Sequence, residues 1–115
     1  MPNLNLASRA YAAATVNRTI REQEAEIFRL VIARLQAARR EGITEQVRAL
    51  ADNRRLWTTV SDLLRDGDNS LPPETRAGLV SIGLTVQREM DADEPNFDFL
   101  ITINKAIAEG LSGNP

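Results

Sequence analysis

Asn53, Trp57 and Asn104 are the residues whose types and spacing promise chemistry, and the chemistry is hydrogen bonding rather than catalysis. Each asparagine falls on the apolar seam of a helix. One seam reads Leu50, Asn53, Trp57, Val60, Leu64; the other reads Phe97, Leu100, Asn104, Ile107, Leu111. Both step by three and four residues, as a packed helix face does. A polar group on such a seam weakens the core unless it is hydrogen-bonded. Where it is retained it fixes register, satisfies a neighbour or serves a partner. The lone tryptophan is expected to pack inward as a core anchor near the last helix, or to anchor a partner helix.

Other chemistries fall away. The chain has no histidine and no cysteine, which removes disulfides, thiolate and Ser-His-Asp catalysis and the common zinc sites. The glycines are scattered and form no phosphate loop. No acidic pair sits in an apolar, pKa-shifting setting. Asp66-Gly67-Asp68-Asn69-Ser70 imitates a calcium loop, but Leu71 stands where glycine is needed and Ala77 where a bidentate glutamate is needed. Asp91 opens a second imitation that fails at Asn96 and Thr102. The expectation is a protein that is not an enzyme and needs no cofactor or metal.

The elements that must position these residues are helices. Residues 4–15 form a short helix with Leu4, Ala7, Tyr11 and Ala14 on one face; its side chains are small, so it is marginal alone. Thr19-Ile20-Arg21-Glu22 is a capping box opening a helix to about Glu41, with Ile27, Phe28, Val31, Leu35 and Ala38 on its face, Leu30 and Ile32 widening it, and Gly42 as its C-cap. Thr44 caps a third helix over residues 45–65. Pro72-Pro73-Glu74 begins a fourth, with Leu79, Val80, Gly83, Val86, Gln87 and Met90 inward and Gly78 and Gly83 allowing close approach. A fifth runs from about Asn96 to Leu111. Strand alternation is absent. The fold expected is one all-α domain over residues 1–115: a bundle of four longer antiparallel helices (19–112) plus the short N-terminal one.

Charge is uneven. Residues 1–57 carry ten arginines and six acids, net +4; residues 58–115 carry four basic residues and ten acids, net −6. Either basic early helices lie beside acidic late ones, or the first half offers a basic surface to RNA. The arginines, Arg54 and Arg55 among them, are spread over several faces without interleaved aromatics, which favours the first. No apolar run spans a membrane, and the N-terminus lacks a signal peptide's basic start and apolar core, so a cytoplasmic location is expected.

The chain resembles the FlaF family of flagellar biosynthesis regulators. The resemblance covers nearly the whole chain and rests on Asn53-Arg54-Arg55-Leu56-Trp57, Ile101 to Leu111, Ala10-Tyr11-Ala12, Arg21-Glu22-Gln23-Glu24-Ala25-Glu26 and Leu71-Pro72-Pro73-Glu74. It departs at Asn17-Arg18-Thr19-Ile20, where members often have proline. The layout is also similar to the flagellin chaperone FliS. The resemblance implies a non-enzymatic protein that binds flagellin like a secretion chaperone and couples flagellin supply to synthesis, opposite to the regulator FlbT. Flagellin messenger RNA or FlbT as direct partner are the alternatives. The partner-binding residues implied are Leu4, Ala7, Tyr11, Asn53, Trp57, Asn104, Ile107 and Leu111, with the weak first helix acting as a lid over an apolar groove or as a contact through Tyr11.

Overall fold

The computed structural model describes residues 25–66 and 71–111, and every regular element among them is a helix. In chain order these are α1 (25–38), α2 (Ile43–Arg65), α3 (Pro73–Met90) and α4 (Phe97–Leu111). The short helix expected at 4–15 lies outside the described residues, as does the capping box.

The helix ends follow local chemistry. α1 closes by tightening: Arg40 N–H donates to Ala37 and Glu41 N–H to Ala38, three residues back in each case. Gly42 was expected to end α1 as its C-cap. Instead its φ of −73° and ψ of 175° are extended, and it stands at the N-cap of α2. Thr44 therefore sits inside the first turn of α2 rather than capping it. α3 starts as expected, with Pro73 at its first position and Glu74 in the positive first turn. Asn96 caps α4 by accepting from Phe99 N–H at 3.1 Å, and the Glu89 carboxylate accepts Asn96 N–H at 3.2 Å.

One core draws on all four helices: Phe28, Val31, Ile32, Leu35 and Ala38 from α1, Ala49, Leu56 and Trp57 from α2, Val86 and Met90 from α3, and Leu100, Ile101 and Ala108 from α4. Phe28 meets Trp57 edge to face at 6.2 Å while Arg34 pairs with Asp52, so α1 and α2 run in opposite directions. Gly83 lies by Trp57 and Ser61 while Asp91 pairs with Arg54, so α2 and α3 do too.

The faces differ in detail from those expected. On α1, Ile27 is half exposed, and Ala25 and Ile32 are buried in its place. On α3, Val80 faces outward and Gly78 opens onto empty space; Gly83 lies against Trp57, but at 3.6 Å an added Cβ would make an ordinary contact, so neither glycine marks the close approach expected. α4 adds Ile101 and Ala108 to the buried seam and leaves Phe97 and Ile107 half-buried. A helix with apolar residues around most of its circumference gives periodicity little to choose between.

Candidate functional site

Trp57 is the centre from which the polar interior is built. It has no accessible surface. It packs in a T-shaped pair with Phe28, and its six-membered ring lies against α3 at Gly83, where an added Cβ would stand 3.6 Å from Cε3. The indole N–H then needs an acceptor, because burying it unpaired would cost about 1–3 kcal/mol. Asn104 of α4 supplies one: Trp57 Nε1 donates to Asn104 Oδ1 at 2.9 Å.

The chain of donors continues. Asn104 Nδ2 donates to Asn53 Oδ1 at 2.7 Å, and Asn53 Nδ2 donates to the Met90 sulfur at 3.2 Å. Three successive bonds tie α2 to α4, α4 back to α2, and α2 to α3. Asn53 and Asn104 are fully buried, and they are the only buried polar side chains among the described residues. No member ionises near neutral pH and none is a nucleophile. The arrangement moves no proton; it pins the axial position of α4 and α3 against α2, since sliding any one strands a buried amide. The reading of both seams as inward-facing was available from periodicity. Met90 as terminal acceptor was not, because a thioether is a weak acceptor that sequence patterns treat as apolar.

Of the other candidate residues, Ile107 is half-buried on α4. Leu111 ends α4, and its side chain lies outside the described set. Leu4, Ala7 and Tyr11 also lie outside it.

Surface charge is matched rather than massed. Arg54 pairs with Asp91 at 3.0 Å, and Arg39 with Asp98. Each bond joins the basic first half to the acidic second half. Arg34 pairs with Asp52 at 2.9 Å, and Arg55 approaches the same carboxylate at 3.6 Å. An open cavity of about 540 Å³ beside the α1–α2 turn, which sequence patterns gave no sign of, is lined by three arginines (Arg34, Arg48, Arg55) and three acids (Glu41, Glu45, Asp52). Its charges balance, so it has no net attraction for a polyanion.

Fold and site together define a helical bundle, among the described residues, whose distinctive polar side chains lock its core. The chain belongs to the FlaF family: the family described as flagellar protein FlaF matches residues 7–111. It is therefore a flagellar protein. No curated protein and no solved structure matches it.

Proposed function

We propose that this protein binds flagellin in the cytoplasm, covering its helical ends before export and coupling flagellin supply to synthesis. The observation that carries the reading is membership of a flagellar family over nearly the whole chain. Flagellin ends are amphipathic helices that assemble with one another, and an antiparallel helical bundle with apolar surface can accept such a helix through anchors at three- and four-residue spacing. Large apolar residues stand on the surface here, among them Ile43, Val47 and Leu84. No helix among the described residues is long and apolar enough to cross a membrane.

Asn53, Trp57 and Asn104 contribute to this binding through position. With no surface of their own they set where α2, α3 and α4 present their outer faces. Ile107 and Leu111 belong to the end of α4, and Leu4, Ala7 and Tyr11 to the N-terminal segment that serves as lid or contact. Direct RNA binding gains no support from arginines already engaged with carboxylates.

The test is co-purification with the cognate flagellin, followed by titration of flagellin into full-length protein and protein lacking residues 1–15. A lid reading expects equal or tighter binding after truncation, because the groove is no longer closed part of the time. Weaker binding with an unchanged melting temperature makes Tyr11 a contact. Absence of any complex at micromolar concentration overturns the proposal.

A further inference from the structure

α3 is shorter than α2 and ends early along it. Its last residue, Met90, meets Asn53, and Asp91 just beyond pairs with Arg54. Residues 43–52 of α2 therefore extend past the end of α3, a length of about 15 Å at 1.5 Å per residue. Lower down, the flank of α2 bearing Arg54 and Ser61 faces α3. Followed toward the N-terminus, the same flank bears Leu50, Val47 and Ile43, at steps of three and four residues. Of these, Ile43 and Val47 are left exposed. Ile43 is 74% exposed and Val47 58%, the highest values of any large apolar side chains described; Leu50 is half-buried at the edge of the core.

Single exposed apolar residues are ordinary. A stripe of three, continuous with a helix-packing flank, is different. Two of the three are β-branched, which a solvent-facing helix position does not favour. One turn along α2 from Leu50, Arg54 pairs with Asp91, and from there the chain turns from α3 to α4 through Ala92-Asp93-Glu94. Asp91 is engaged by Arg54, whereas Asp93 and Glu94 are exposed and have no ion pair among the described residues. An apolar stripe with two unpaired carboxylates in the turn at its α3 end suits an amphipathic helix whose apolar face is edged by lysine or arginine.

We infer that the Ile43–Val47–Leu50 stripe is a docking site for such a basic-edged amphipathic helix, which lies along α2 in line with α3 where α3 stops. The inference rests on the flagellin-binding reading and assigns it a place. The probes are synthetic peptides covering the two terminal helical segments of the cognate flagellin, titrated calorimetrically into full-length protein. Ile43→Asp combined with Val47→Asp is expected to weaken the peptide that binds by roughly thirtyfold or more, as loss of two central apolar anchors does. Asp93→Asn with Glu94→Gln is expected to weaken it severalfold at low salt and less at high salt. Ile27→Asp with Leu30→Asp, an equally accessible apolar pair on α1, is expected to leave affinity unchanged. Circular dichroism melts check that each variant folds.

Unchanged affinity in the α2 variant, or equal loss in the α1 control, overturns the assignment while leaving flagellin binding intact. Binding of neither peptide nor whole flagellin by the wild type overturns the parent reading, and this occupant with it. A concentration-dependent dimer that the α2 variant abolishes gives the stripe to a second copy and also overturns the inference.

Discussion

At the scale of single residues, the interior depends on a polar chain in which each member satisfies the next. Removing the side chain of Asn104 strands both the Trp57 indole N–H and the Asn53 carbonyl oxygen. Asn104→Ala is therefore expected to destabilise by about 2–4 kcal/mol, combining lost packing with two unpaired buried groups. Asn53→Ala also breaks two bonds, but one of the partners left behind is the Met90 sulfur, a weak acceptor, so this substitution should cost less. Because the two share a bond, the double substitution should cost less than the sum of the singles, with a coupling of about 0.5–3 kcal/mol. Urea denaturation of the four proteins measures this, and strict additivity would show that the amides do not act as a unit. Trp57→Ala should cost about 3–5 kcal/mol as a large core truncation. An unaltered melt would make the ring dispensable to the fold. Much of this site was legible in advance: two seams, each with one asparagine, pointed inward near a single tryptophan. The sequence could not say which group accepts the last hydrogen bond in the chain, because a methionine sulfur carries no polar signature.

At the scale of elements, helix existence was more legible than helix faces. The proline start of α3 and the asparagine start of α4 declare themselves through strong local chemistry. Gly42 misled because glycine serves either end of a helix, and only the backbone angle distinguishes them. Val80 and Gly78 misled because α3 buries only Gly83, Val86 and Met90, all in its second half. Gly78 itself is exposed, so ordinary helix propensity governs at that position. Gly78 has open space where a Cβ would go. Gly78→Ala should stabilise the protein by about 1 kcal/mol, the usual difference between the two residues in a helix interior. In a thermal melt this corresponds to a rise of about 4 °C for a domain of this size. A fall in melting temperature would show that this part of α3 packs against something the described residues do not include.

At the scale of the whole molecule, the division into a basic first half and an acidic second half resolves partly into ion pairs such as Arg39–Asp98 and Arg54–Asp91. These pairs are exposed, so each contributes at most about 1 kcal/mol and weakens with salt. Their larger consequence is for partners. Among the described residues seven arginines are paired with carboxylates, which dilutes the positive field that polyanions need, whereas apolar burial is little affected by screening. Flagellin affinity should therefore change little between low and physiological salt. A phosphate-driven contact would lose orders of magnitude over the same range. Titrations at two salt concentrations with flagellin and with its messenger RNA separate the two, and tight RNA binding that collapses with salt, beside absent flagellin binding, would reverse the assignment.

Hydrogen exchange of the full-length protein, alone and bound to its cognate flagellin, tests the central claim most directly. The expected result is a stable complex in which amides of the first half of α2 and the 91–96 turn gain protection, while the already locked amides around Asn53, Trp57 and Asn104 change least. No complex, or a complex whose protection leaves α2 untouched, would contradict it.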